Sequence, residues 1–404
     1  MNFLKIDDEK RAKLCNLIFY VALTIELLLM IYEKSDFPDP GSYISVFNGS
    51  FYGYVFRGTF VLALAIVLLM KHNRREWIVL AAVFAFTFIC YRISGKNDLL
   101  RLFAFMAAVR DLDLKKVMKY IFFVSLAGFA LIALLSVIGV VGDISLTTDF
   151  GRDIENERRY VFGFGHPNTL YGCIFSLSAM WMWLYGKKSG IIRWLVVLSF
   201  NIMICLLSKS KTALAICILM FATGLVVRYW NKIAECRIIY ILTALVTPVF
   251  CVAFSVWSAC VSYIPRYHQE MKCHNFISAI DELLTNRIHD LYRGNERHAG
   301  AIETWKLFSD RMSEETFDMG WVRLFYWYGI IPAVIISLLV LLLIYICYKK
   351  KDAMTLVLIL SLSIYTIVEA TFVSRFIGRL FIFPIAAVYL YDLLEKRSDS
   401  DIET

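Results

Sequence analysis

Apolar residues in this chain gather into long, almost uninterrupted runs separated by short polar stretches. Twelve runs stand out, at residues 14–32, 54–70, 77–91, 99–109, 117–141, 166–185, 191–207, 212–229, 238–263, 324–348, 353–372 and 377–394. Crossing a hydrocarbon core of roughly 30 Å takes about 20 residues of helix. In lipid, a helix also satisfies its own backbone hydrogen bonds. The pattern therefore predicts twelve transmembrane helices. The run at 99–109 is the shortest and reads as a tilted helix inside the bundle or a re-entrant piece. Between residues 263 and 324 the pattern changes. Ser278 with Asp281 resembles a capping box, and Ile280, Leu284, Ile288 and Leu291 recur at helical spacing, so an amphipathic helix is expected over the bundle mouth.

Composition narrows the class. Of 404 residues, 59% are hydrophobic and only 19% charged, too few to cover a water-facing surface of this size. That excludes secreted, collagen-like, coiled-coil and disordered chains, and a peripheral enzyme with one anchor. The expectation is one all-α polytopic membrane domain over residues 1–404, with a long extracytoplasmic loop at 265–323 carrying short helices. No small-residue cleavage site follows the first run, so the first span is expected to be an uncleaved start helix. Most of the ten cysteines lie within spans and Cys273 alone lies in the long loop, so no disulfide framework is legible. The acidic tail at 399–403 reads as a solvated end.

Charge placement sets the orientation. With twelve spans and a cytoplasmic N-terminus, the inner segments carry 22 Lys and Arg, including Lys10, Arg11, Arg74, Arg75, Lys115, Lys116, Lys187, Lys188 and the run Lys349, Lys350, Lys351. The short outer loops carry 10; the 8 in the long loop do not count towards the positive-inside rule. Omitting the span at 99–109 breaks this alternation, so both termini are expected in the cytoplasm. The net charge of +8 is then an orientation signal and requires no nucleic acid.

Cations on the outer side gain nothing from that rule and carry more information. Arg152, Arg158, Arg159, Lys209, Lys211, Arg287, Arg293, Arg297, Arg375 and Arg379 all fall there, several beside the mouth of a span. A bound anion accounts for them; pairing with neighbours such as Asp153, Glu155, Glu157 and Asp290 is the alternative for any single one.

Four patches add chemistry to charge. Residues 159–168, RYVFGFGHPN, lead into the sixth span, with Pro167 suited to a first helical turn and His166 and Asn168 at a helix mouth fit for an anion. The turn LSKSKT at 207–212 presents Lys209 and Lys211. In the long loop, Arg287 and Asp290 are followed by Arg297 and His298. The fourth patch joins Asp318 and the aromatic stretch to Ile330 with Glu369 in the eleventh span, an intramembrane carboxylate for which Arg375 and Arg379 are the expected partners.

Taken in order, the 159–168 segment, the SKSKT turn, the LTNR segment at 284–287, Asp318 ahead of a YGI, and IYTIVE at 364–369 resemble bacterial polysaccharide repeat-unit polymerases of the Wzy type, relatives of the O-antigen ligases. The similarity covers roughly residues 75–390 and is nearest to the capsule and exopolysaccharide polymerases of Gram-positive bacteria. Two positions depart from the family: Lys211 stands where relatives usually show arginine, and Asp318-Met319 where ligases tend to show His-Asn and many polymerases Asp-Asn.

The resemblance implies a GT-C-like helical fold in the bacterial cytoplasmic membrane, an undecaprenyl-pyrophosphate-linked glycan as donor, no metal and no cofactor. It implies an inverting glycosyltransferase that moves a growing glycan onto a lipid-linked repeat unit at the outer membrane face. Arg159, Arg287 and Lys211 are expected on the diphosphate, with His166, Asn168, Glu369 and Arg375 lining the substrate site. Asp318 is the expected base, ahead of His298; capping of the next helix is the competing role for Asp318. Membrane lipids, a flippase and a chain-length regulator are the implied partners. A ligase passing the glycan to another acceptor is the near alternative; a flippase or transporter is the distant one, and would place polar residues along a mid-span path.

Everything about the site depends on topology. Reporter fusions after Lys188 and after Lys351 are expected to read cytoplasmic, and fusions within 267–315 to read external. An internal long loop would overturn the assignment.

Overall fold

The computed structural model describes residues 7–37, 49–148, 157–264, 274–294, 296–313, 315–371 and 377–400. The protein is a helical membrane protein. The apolar runs are helical: α1 (Asp8–Lys34), α2 (Gly49–Leu69), α3 (Arg74–Ser94), α4 (Asp98–Val109), α5 (Leu114–Val137), then, after a hairpin of β1 (Ser145–Thr148) and β2 (Glu157–Tyr160), α6 (Pro167–Tyr185), α7 (Ile191–Leu207) and α8 (Lys211–Tyr229). There follow α9 (Arg237–Ala244), α10 (Cys251–Val261), α11 (His274–Leu283), α12 (Arg287–Arg293), α13 (Gly320–Tyr328), α14 (Ile330–Lys350), α15 (Ala353–Val368) and α16 (Arg379–Ser400).

Among the described residues, seven segments are long and apolar enough to cross a membrane: α1, α2, α3, α5, α8, the continuous α9–α10 rod and α14. α7 and α15 are shorter apolar helices, and α4 has 12 residues. Helices α6 and α15 are buried almost all round, which places them at the centre. At the periphery, α3 turns Ile78, Phe88, Ile89 and Ile93 outward, as a surface solvated by lipid does. Polar groups point inward instead. Asn201 of α7 and Ser178 of α6 exchange hydrogen bonds at 2.9 and 3.1 Å, and Thr59 of α2 donates to Glu26 of α1, which pairs with Arg101 of α4 at 2.6 Å.

Four expectations are corrected. The run at 324–348 is two helices broken at Gly329, where φ is +100°. A Cβ there would meet Phe308 Cα and Ser309 N at 2.6 Å, because residues 306–309 cross the break. That crossing strand supplies what the broken helix loses: Ile330 N donates to Lys306 O at 2.9 Å, Ile331 N to Leu307 O at 3.0 Å, and Ser309 N to Tyr328 O at 3.2 Å. The run at 238–263 contains a π-helical turn over Leu245–Phe250 around Pro248, which has no amide to donate. The helix from 353 stops at Val368, leaving Glu369 in extended backbone at its C-cap rather than inside a span.

The fourth correction concerns the amphipathic helix of the long loop. It is two helices, because Thr285 and Asn286 both adopt positive φ, 61° and 62°. Ser278 lies inside α11, four residues past its first residue, and so is not its N-cap. Asp281 caps forward instead: its Oδ1 accepts the amides of Ile288 at 2.8 Å and His289 at 3.1 Å, in the first turn of α12. Burial lifts the pKa of Asp281, and the two amides act against that rise. Removing this acceptor is expected to free α12. Asp281→Ala should speed hydrogen exchange at amides 288–291 and destabilise the helix by about 1 kcal/mol, a typical cap loss. Asp281→Asn, which keeps an oxygen acceptor, should leave exchange close to wild type; equal protection in the alanine variant would show that Asp281 holds nothing.

Candidate functional site

Four residues distant in sequence meet at the end of the bundle formed by the start of α6, α12, the start of α13 and the end of α15. The α6 contribution follows from its cap. His166 is the N-cap, its Nδ1 accepting from Asn168 N at 3.2 Å, and Pro167 occupies the first helical position, where a missing amide is harmless. Asn168 in the first turn then donates from Nδ2 to Glu369 Oε1 at 2.6 Å.

Arg287, the first residue of α12, reaches the same carboxylate: Nη2 donates to Glu369 Oε1 at 2.8 Å, Nε to Val368 O at 2.6 Å and Nη1 to Leu284 O at 3.1 Å. Three of its five N–H groups are thus fixed, leaving one on each terminal nitrogen. Asp318 lies on the open side, with Oδ2 3.5 Å from Arg287 Nη2 and its side chain 58% exposed. It is not a helix cap. The N-cap of α13 is Met319 and makes no side-chain cap bond.

A glycine makes this approach possible. At Gly320 a Cβ would lie 2.5 Å from Glu369 O and 2.7 Å from Thr366 Cγ2, so the start of α13 sits directly on the end of α15 and brings Asp318 over Glu369. Electrostatically the two carboxylates repel and Arg287 stands between them. Such a guanidinium, pinned by carbonyls and a buried carboxylate with an N–H left on each terminal nitrogen, can donate to the oxygens of an anion.

The other expected residues are placed as follows. His166 lies within electrostatic reach of Asp318, Arg159 and Arg287. Arg159 is buried and directs Nε and Nη2 to Glu157 Oε2 at 2.8 and 2.5 Å. Being two apart on β2, these residues share a strand face, so for Arg159 the pairing alternative holds. Lys209, in left-handed backbone, is 3.7 Å from Glu157, whereas Lys211 is exposed at the start of α8, whose cap bond is made by Ser210. His298 stacks on Tyr292 at 3.9 Å and its Nδ1 lies 2.5 Å from Tyr292 O. Arg375, like Arg152, Asp153 and Glu155, lies outside the described residues. Arg379 does not pair with Glu369: it donates to Tyr328 OH at 2.9 Å and lies 3.4 Å from Asp98. The partner of Glu369 is Arg287, a residue sequence reasoning had set on the substrate instead.

Sequence reasoning missed the forward cap by Asp281 and the contact glycine Gly320. The first was signalled by Asn286, a residue type that tolerates left-handed backbone and so marks a helix break. The second had no local signal. Comparison with family models, with curated proteins and with solved structures gives no match.

Proposed function

We propose that this protein is a Wzy-type polysaccharide polymerase: a GT-C-like enzyme of twelve crossings that transfers a growing glycan from undecaprenyl pyrophosphate to a lipid-linked repeat unit at the outer face of the bacterial cytoplasmic membrane. One observation carries the reading. Asn168, Arg287, Asp318 and Glu369 come from four of the segments that resemble these polymerases, and they converge although Asn168 and Glu369 are 201 positions apart.

The chemistry follows from those groups. An acceptor hydroxyl oxygen attacks the anomeric carbon of the donor, the bond from that carbon to the pyrophosphate oxygen breaks, and the configuration inverts. Pyrophosphate leaves as an anion, so no general acid is required. Arg287 receives the developing charge through its two remaining N–H groups, already oriented by Val368, Leu284 and Glu369. Asp318, exposed and beside Arg287, accepts the hydroxyl proton. Glu369 and Asn168 position rather than react. The apolar bundle holds the polyprenyl chains.

Arg287→Ala is expected to lower polymer by at least about 100-fold while the protein still inserts, as for loss of a transition-state donor. Arg287→Lys should recover part of it, since a point charge replaces a fork. Wild-type polymer in the alanine variant would refute the clamp, and a strict need for added Mg²⁺ after EDTA treatment would reassign the pyrophosphate to a metal. A deletion strain should accumulate single lipid-linked repeat units; lipid-linked polymer would mark a ligase.

The base has its own test. Asp318→Asn should cost roughly 100-fold or more in rate, whereas His298→Ala should keep most activity, because that ring packs on Tyr292. The reverse result would transfer the role to the histidine.

A further inference from the structure

The continuous α9–α10 rod turns an apolar face outward: Ile238, Leu242, Leu245, Val249 and Phe250 are all exposed on it, as side chains solvated by lipid are. From Phe250 a row of rings carries this face onward. Phe254 is 6.0 Å from Phe250, Trp257 is 5.5 Å from Phe254, and Phe276 of α11 is 6.5 Å from Trp257. The row thus passes from a spanning helix to a helix of the long loop without a break.

Its depth follows from the length of the rod. Twenty-five residues extend about 37 Å, so upright in a hydrocarbon core of roughly 30 Å the rod overshoots by about 4 Å at each end. Trp257 lies four residues before Val261, the last residue of α10, and so about 6 Å inside that end. That is the hydrocarbon boundary, where tryptophan gathers. Phe276, packed edge-on against Trp257, brings the start of α11 to the same level.

The faces of α11 suit that position. Ile277 and Asp281 are buried against protein, and Ile280 packs on the cluster that includes Ile288 and, at its edge, Trp257. Phe276, Ala279 and Leu283, at three- and four-residue spacing, form a second stripe turned away from the protein, with Phe276 65% and Leu283 83% exposed. Asn275 and Glu282, also exposed, lie on the remaining side. Single exposed leucines are ordinary on a protein surface, but this stripe continues a lipid-facing row. A helix with protein on one flank, apolar groups on a second and polar groups on a third fits the boundary between lipid and water.

We propose that α11 lies in the membrane interface at the Arg287 end of the bundle, with Phe276, Ala279 and Leu283 solvated by acyl chains of bulk phospholipid in the adjoining leaflet. The leaflet then acts on the candidate site at one remove. Asp281, on the protein face of the same helix, caps the first turn of α12, and α12 begins at Arg287. Lipid that holds α11 therefore holds the cap on which the position of the arginine depends. The contact is independent of any reaction at Arg287.

The test is photocrosslinking of the full-length protein in nanodiscs of phosphatidylglycerol and phosphatidylcholine with a small fraction of undecaprenyl phosphate. The probe is p-benzoylphenylalanine, whose excited ketone takes a hydrogen atom from a nearby C–H bond, after which the two carbon radicals join. In place of Phe276 or Leu283 it is expected to give phospholipid adducts, read by intact mass, in proportion to the abundance of each lipid. In place of Asn275 or Glu282 those adducts should be lost. Leu283→Ser should speed hydrogen exchange at amides 288–291 by roughly tenfold, as for one leucine taken from an apolar environment, whereas Leu283→Phe should not; an exposed Leu283 has no core packing to lose. Lipid adducts absent at 276 and 283, or equal at all four positions, overturn the interfacial placement. Covalent dimers at 276 or 283 would assign the stripe to a second copy of the chain, and undecaprenyl adducts above their share of the lipid would assign it to a bound polyprenyl chain. Unchanged exchange in Leu283→Ser overturns the coupling to α12.

Discussion

The ion pair between Arg287 and Glu369 is the contact on which the rest of the candidate site depends. Both side chains are largely removed from solvent, and the pair joins a helix of the long loop to the end of a central helix 82 positions away. Losing either partner of such a pair typically costs about 3–5 kcal/mol, because the other charge stays buried. The arrangement therefore persists only if both are satisfied. Carbonyls of Leu284 and Val368 take the remaining inward donors of Arg287, and Asn168 takes a further share of Glu369. Asp318 Oδ2 lies 3.5 Å from the same guanidinium, on its more exposed side.

Around that pair, backbone breaks do the positioning. α12 begins at Arg287 because Thr285 and Asn286 interrupt the preceding helix and Asp281 caps forward across the gap. α15 ends one residue before Glu369, and that residue is extended rather than helical. Gly320 allows α13 to rest on the carbonyl of Glu369, and Gly329 turns the chain from α13 into the long helix α14. Each break exposes backbone groups, and neighbouring segments satisfy several of them, most clearly where residues 306–309 bond to the chain on either side of Gly329. Irregular backbone in a lipid-solvated bundle is tolerated where protein surrounds it in this way.

Cations at this end of the bundle divide by their partners. Arg159 and Arg379 each bind one carboxylate, whereas Arg287 lies between two, Glu369 and Asp318, and the buried Nε of Arg323 has no hydrogen-bond partner among the described residues. Geometry separates structural arginines from candidate binding ones where a count of charges in loops treats them alike.

The sequence by itself determined where the helices lie and that lipid is their solvent, because apolar length and helical periodicity are local properties that add along the chain. It also marked Arg159, His166, Asn168, Arg287, Asp318 and Glu369 as a group. Only the tertiary structure decided which of these touch. Glu369 faces Arg287 and not Arg379, and Arg159 is bound to its neighbour Glu157. It also decided that runs read as single helices are broken at Gly329 and at Thr285–Asn286. Pairing and breakage are set by which surfaces come into contact over tens to hundreds of positions, and by what satisfies the backbone where they do. Neither quantity is carried by any local stretch of residues.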